Sequence, residues 1–546
     1  MTIERSSRVK RATPRRSFGL CVAALMTTVS VVGCGGGSSS GGSSSAPVGG
    51  SSSSTDASEL DRDATLRISH SITIDQFDPL KKASDIPAIP WYRLVYDNLV
   101  KVDQDNEVVP ELASSYEASS DDLVWTFDLR EGTTFHDGTP IDGEAVVANF
   151  QRLLDGKDSN PLVGGYLGKV ASVTAPDAST VVFTLSEPDQ AFPLSVATPL
   201  SSIAAPSAFE TLDTNPVGSG PFTLDDFSPQ GASFDRWEQY WDVEHIPSKR
   251  IEFTPVADGQ ARLTAIQTGR YDLGGFSPIF LPQIDALPDD DQIAVEQAPH
   301  TGVQMMFLNT SHPPLDNPDV RRALSLMIDR KTIAEELYAG LVQPTASPLS
   351  PGIDGYVSSI EEQYTYDPDE AQRLLDEAGV DDLTLTVIIS DAPGVGSYLG
   401  PVLQAMFAEH GITLDVVAKP AVDSQAIWRS GEGDIFLQFA NLNSFDSLAY
   451  LQIMYAGLNN PGGLEADSPI QAALDEAAAL PLDSPDRVGA IEAVVEVIAD
   501  NPIHIALASQ DSTWVVSSRV VGIDRSPYLR TAILFFDPRY VGLTAS

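Results

Sequence analysis

A chain of 546 residues exceeds what one core supports, because single cores stop growing at roughly 250–300 residues; two or three lobes are expected. Hydrophobic residues make up 42% and mean hydropathy is −0.05, so most of the length can bury a core. The formal net charge of −43 excludes nucleic acid as a partner, since phosphate repels such a surface, and reads first as solubility or salt tolerance.

Basic residues are concentrated at the start: Arg5, Arg8, Lys10, Arg11, Arg15 and Arg16 against a single acid, Glu4. Without residues 1–33 the charge falls by the net five positive charges they carry, to −48. Residues 18–32 are mostly apolar, broken by Thr27, Thr28 and Ser30. That run is shorter than the roughly 20 residues a membrane span needs, and fits the apolar region of a signal peptide over residues 1–33. Val31-Val32-Gly33-Cys34 then reads as a lipoprotein processing box. Cys34 is the expected lipidation site, because Gly35-Gly36-Gly37 and a Ser/Gly run follow it and argue against a buried structural thiol. Cys21 would leave with the signal peptide, so no disulfide and no cysteine metal site is expected. Two acyl chains suffice for stable anchoring to the outer face of the cell membrane. Arg15-Arg16-Ser17-Phe18 is similar to a twin-arginine export signal, and the choice between that route and the general one stays open. Residues 34–58 form a lipidated, Gly/Ser-rich linker with a coil reach of roughly 25–30 Å.

Folded structure is expected from about Thr65. Leu66-Arg67-Ile68-Ser69 alternates as a strand does, as do residues 123–129, with Asp137-Gly138 as a turn. A helix is predicted over 142–154 on the stripe Val146, Val147, Phe150, Leu153 and Leu154, and a strand over 181–185. Asn317-Pro318 opens a helix as a cap followed by proline at the first helical position. Asp367-Pro368-Asp369-Glu370 reads as a capping box, with Gly379 as the left-handed end of its helix. Strands at 383–389, 412–417 and 434–439 alternate with a helix at 397–410. That alternation predicts βαβ units and a largely parallel sheet.

Ligands of such sheets bind at the carboxyl ends of strands. The loop Asn441-Leu442-Asn443-Ser444-Phe445-Asp446 leaves the 434–439 strand at that end. No HExxH, Walker or GxGxxG pattern and no GxSxG elbow occurs, so an enzyme has no positive support. His136, beside the turn, reads as a solvated loop histidine. No cofactor is implied.

Several segments together resemble the family 5 solute-binding proteins of ABC importers, the peptide, nickel and opine binders. They are Leu66-Arg67-Ile68 with Gln76-Phe77-Asp78-Pro79-Leu80, Tyr96-Asp97-Asn98-Leu99-Val100, and Val109-Pro110-Glu111-Leu112-Ala113. Trp125 to Gly132 running into Phe135-His136-Asp137-Gly138 is the most specific, joined by Asn215 to Phe222 and Val320 to Arg330. The resemblance spans about 64–540. It implies an α/β fold of the two-lobed periplasmic-binding-protein (Venus-flytrap) type. Lobe I would hold 59–303 and 509–546, with an extra subdomain near 101–222. Lobe II and the hinge strands would hold 304–508. Val303–Leu308 and residues 503–507 would cross between lobes, with Met305 and Met306 as core. Gly218, Gly220 and Pro221 read as fixing a turn, and Arg321 and Arg322 as surface or interlobe residues.

The implied role is a substrate-binding lipoprotein, a monomer in the periplasmic or cell-envelope space. It would capture a peptide-like or other small polar solute and deliver it to the permease subunits of an ABC importer. The sequence departs from the family's peptide binders at one place. Their tryptophan and, three residues on, the acid that pairs with a peptide's amino group fall here on Ala440 and Asn443. Asn443 lacks the charge, and an unpaired buried ammonium is costly; Asp446 is the candidate substitute. Phe445 shares that loop, and Gln76, Phe77 and Phe276 are lobe-I candidates by family position. Trp428 reads as core. A ligand other than a short peptide with a free amino terminus is therefore expected. Nickel itself would need a carrier or more histidines. The other readings are an envelope lipoprotein that chaperones or senses, and a secreted hydrolase.

Overall fold

The computed structural model describes residues 60–81, 89–104, 107–157, 160–287, 292–298, 302–391, 395–440, 446–455, 461, 464, 468–481, 484–509, 511–526 and 536–545. The expected signal peptide, Cys34 and the expected linker lie outside them.

Leu66 and Ile68 point one way from the strand Thr65–His70 and Ser69 the other, and both faces are covered. The strand is therefore central. The sheet of lobe I runs Ile293–Ala298, Ser512–Ser517, Leu273–Phe276, Thr65–His70, Arg250–Pro255, Gly231–Arg236, Phe222–Ser228. On one face lie Leu66, Ile68, Trp91, Phe234, Phe253 and Trp514. On the other lie Leu263, Ile266, Phe276 and Val515. Thr65–His70 runs parallel to its two neighbours, and the outer pairs are antiparallel.

The second sheet runs Gln343–Pro344, His504–Ser509, Val303–Leu308, Ile435–Ala440, Thr384–Ser390, Thr413–Lys419. Its core includes Met305, Met306 and Trp428, which stacks on Phe436. The expectation of a largely parallel sheet is corrected here. Only the pairings made by Thr384–Ser390 are parallel. The others are antiparallel, because Val303–Leu308, entering the lobe, pairs with His504–Ser509, which leaves it.

A four-stranded antiparallel sheet, Ala113–Ala118, Val124–Leu129, Thr180–Leu185, Val170–Asp177, forms the subdomain. Phe127, Phe150, Phe183 and Phe192 centre its core, which spans Leu99 to Ala205. Helix Gly143–Asp155 closes it and is capped by Asp142. Among the described residues no helix is long and apolar enough to cross a membrane.

The segments that carry the family resemblance turn out to be joints. Asp97, Glu111 and Asp537 are buried with Arg93 and Arg539. Arg539 Nη1 donates to Asp97 at 2.8 Å and to Glu111 at 2.8 Å, and Arg93 Nη2 donates to Glu111 at 2.5 Å. Tyr240 and Trp241 donate to the other Asp97 oxygen. Three carboxylates face two guanidiniums, so one carboxylate is under-compensated. Burial and the neighbouring Glu111 push Asp97 up to about 7 against the pull of Arg539 and Arg93. Burial would raise Glu111 too, but Arg93 and Arg539 hold it at about 2. Gly218 and Gly220 do more than turn the chain: a Cβ would lie 1.9 Å from the Val95 oxygen at Gly218 and 2.6 Å from the Leu94 oxygen at Gly220. His136 is not a solvated histidine. Its Nδ1 accepts from the Gly218 N–H and its Nε2 donates to the Gly220 oxygen at 2.9 Å, which fixes the neutral ring. Arg321 is likewise buried, donating to the Pro502 and Leu315 carbonyls, while Arg322 is half-buried.

Candidate functional site at the lobe crossing

Two rungs of hydrogen-bonded ladder bracket the passage between lobes. Ile293–Ala298 pairs with Ser512–Ser517, ending at Ala298 opposite Ser512. Val303–Leu308 pairs with His504–Ser509, beginning at Val303 opposite Ser509. The chain thus leaves lobe I after Ala298 and returns at Ser512. The expected crossing strands themselves lie in the sheet of lobe II, and the passages are the short segments beside them.

Strand ends of both sheets converge there. In lobe I, Thr65–His70 and Leu273–Phe276 are parallel, and Phe276 lies opposite Thr513, next to Ser512. In lobe II, Ile435–Ala440 ends at Ala440, opposite Val303. Carboxyl ends of parallel strands are where open α/β sheets bind ligands. The edge is polar as well: Gln304 is buried and accepts from the Tyr338 hydroxyl at 3.0 Å, and Gln297 donates to Thr513.

The residues singled out from sequence fare differently. Ala440 sits at this edge, fully buried within its strand pairing. Asn443 and Phe445 lie outside the described residues. Asp446 is not a free anchor for an ammonium. One oxygen accepts from Arg487 Nη2 at 2.7 Å and the other from the Leu448 N–H at the start of helix Ser447–Tyr455. Arg487 is itself buried and also donates to the Leu480 carbonyl. Its guanidinium neutralises the charge that a ligand amine would need.

Phe77 packs in the lobe-I core in this conformation, edge-on to Phe227 and Phe234. Phe276 is buried on the opposite face under the Arg262 guanidinium, 4.8 Å from the ring centre. Gln76 keeps partial exposure and donates to the Tyr92 hydroxyl. Sequence reasoning missed Arg487, the partner of Asp446, which comes 41 residues later with nothing local to mark it.

An open cavity of about 580 Å³ lies elsewhere, on the subdomain, lined by Ser114, Asp128, Arg130, Glu131, Thr133 and Trp241 among others. Arg130 stacks 4.2 Å above the Trp241 ring while its Nε donates to the Glu111 carbonyl.

Two α/β lobes, each with its own sheet, joined by a paired double crossing onto which strand ends converge, define a two-lobed binding protein of the hinge-closing kind. Comparison with known proteins makes that specific. The chain belongs to the bacterial extracellular solute-binding proteins, family 5, whose model (the "family 5 Middle" region) matches residues 107–462. It is 31% identical over 360 residues to the glutathione-binding protein GsiB of Escherichia coli O1:K1 / APEC, covering 65% of this chain and 68% of the relative. Solved structures with the same fold include AgaA of A. tumefaciens R10 in complex with agropinic acid, at TM-score 0.77 and 22% identity over 88% of this chain and 99% of that one. Another is the ABC transporter-associated periplasmic binding protein DppA of Helicobacter pylori with the peptide STSA, at TM-score 0.76 and 21% identity over 89% and 99%. The chain is accordingly a solute-binding protein, from a family that works outside the cytoplasm.

Proposed function

We propose that the chain captures a small polar, peptide-like solute between its lobes and hands it to a membrane permease while tethered through a lipidated Cys34. The observation that carries the reading is the double crossing, with Ala298 opposite Ser512 and Val303 opposite Ser509. It joins two separately packed lobes by two short segments and brings the strand ends together beside them. The loop after Ala440, with Asn443 and Phe445, is the proposed lobe-II wall, and Gln76 a lobe-I contact. The GsiB relatives, named for glutathione binding, support a peptide-like solute.

Ligand that touches both lobes favours the closed form by its difference in affinity for the two forms, and by no more than that. Shifting the population from 1:99 to 99:1 takes about 5.5 kcal/mol of such preference. No chemistry on the solute is needed. Closed and open forms present different surfaces to the permease. Cys34 follows a small-residue box and precedes a flexible tract, which supports the tether.

The test is native mass spectrometry of the purified full chain, followed by denaturation and identification of what is released. One small solute per chain is expected. Turnover of that solute, or no solute retained from any peptide-rich medium, would overturn the proposal.

A further inference from the structure

We infer that the captured solute presents a carboxylate to lobe I, received by the indole N–H groups of Trp91 and Trp514 and the hydroxyl of Ser512. This rests on the capture reading above and names the chemistry of its lobe-I half. Trp91, Trp514 and Ser512 are buried, at 1%, 1% and 0% exposure, and among the described residues Nε1 of each indole and Oγ of the serine have no hydrogen-bond partner. An indole nitrogen is a donor only. Leaving a buried donor unpaired is costly, and such groups in native proteins call for an explanation. The unpaired nitrogens of Arg62 and Arg322 are a different matter, because their sister nitrogens are bonded.

The three donors share one face of the lobe-I sheet at its ligand-binding end. Trp514 and Val516 point to the face that holds Leu66, Ile68 and Trp91, and Ser512 has the same parity beside the crossing. Gly275 lies opposite Trp514 and has no side chain on that face. The next strand reaches it at His70, one step past the Ser69–Gly274 pair, and Trp91 stands edge-on to His70 with ring centres 6.3 Å apart.

Charge selects among acceptors. Arg262 is buried behind the same strand and donates to the Gly275 carbonyl at 3.1 Å and the Val256 carbonyl at 2.5 Å. Among the described residues it forms no ion pair, in a chain where acids outnumber bases 76 to 33. Asp258 offsets its charge only without direct contact, and a buried guanidinium so placed favours an anion over a neutral carbonyl. A carboxylate is acceptor-only, with room for several donors, and charge-assisted bonds are the stronger kind. The solute's amine, by contrast, has no vacant acid at Asp446, which Arg487 occupies.

The full chain, stripped of solute by unfolding and refolding, is offered casein tryptone in three forms: untreated, N-acetylated to block amines, and methyl-esterified to block carboxylates. Mass spectrometry identifies what is retained after gel filtration. Untreated and acetylated peptides are expected to be captured and esterified ones not. Ser512→Ala and Trp514→Phe are each expected to lower capture at least ten-fold. Stripped Ser512→Ala is expected to melt no lower than the parent, since its hydroxyl has no partner to lose among the described residues. Capture of esterified peptides, or undiminished capture by both variants, overturns the carboxylate inference and leaves two-lobed capture standing. So does a lower melting temperature of stripped Ser512→Ala. Failure to retain any of the three preparations overturns both.

Discussion

Replacing Arg539 by methionine keeps most of the side-chain volume and removes one of two cations facing three buried carboxylates. Arg539 reaches Asp97 and Glu111 at 2.8 Å each and Asp537 at 2.7 Å. After the change only Arg93 remains, bonded to Glu111 at 2.5 Å and 3.6 Å from Asp537. Removing one partner of a buried ion pair costs about 3–5 kcal/mol, because the other charge is left uncompensated. The loss should depend on pH in a definite direction. Without the guanidinium the native carboxylates hold protons to higher pH than the unfolded chain does. Stability of the variant then falls as pH rises from about 4 through the raised native values. Urea denaturation at pH 8 should show the full deficit against wild type. At pH 5 the deficit should shrink by at least about 1 kcal/mol, since protonation removes part of the uncompensated charge. Wild-type Asp97, at about 7, takes up a proton over the same range, so the variant-minus-wild-type difference is the quantity to compare. A deficit below about 1 kcal/mol, or one equal at both pH values, would refute the reasoning.

Asp446→Ala should cost about 3 kcal/mol in urea denaturation by stranding buried Arg487, while capture of N-acetylated tryptone changes less than three-fold; a large loss of capture with intact stability would restore Asp446 as a ligand anchor. Gly218→Ala should yield no soluble folded protein, because its Cβ would meet the Val95 oxygen, whereas Gly164→Ala, with open space around it, should express and melt as wild type. Burial lowers both His136 and His504 to about 4. Each stays neutral in the native chain while the unfolded one protonates near 6.5, so stability should drop as pH falls from about 6.5 to 4, by up to about 3 kcal/mol for His504. His136→Gln, which can still accept from Gly218 and donate to Gly220, should flatten part of that slope; an unchanged slope would count against a neutral native ring.

Local signals were legible and distant pairings were not. Asn317 and Asp367 cap their helices through their own side chains, and Gly379 ends the second with φ 71°, because such caps involve residues within one turn. The capping box at Asp367 is only half made, since Glu370 turns to Arg373. Apolar runs gave the strands of lobe II. The Asp97–Arg539 contact spans 442 residues and Asp446–Arg487 spans 41. Neither has a periodic signature, so Asp446 read as vacant and Arg539 attracted no notice. His136 looked like a turn residue because its partners, Gly218 and Gly220, come some eighty positions later. Phe77 matched a family position, yet whether a phenylalanine there faces solute or core is decided by Phe227 and Phe234, far along the chain.

The twin passages between the lobes also restrict the path of closure. A ladder rung stands on each side of the crossing, Ala298 opposite Ser512 and Val303 opposite Ser509, and a twist of one lobe against the other would shear both rungs where a bend would not. On the proposed mechanism the lobes would then swing along nearly one arc whatever solute lies between them. Discrimination is left to how well the shut form fits, and every accepted solute would offer the permease the same outer face.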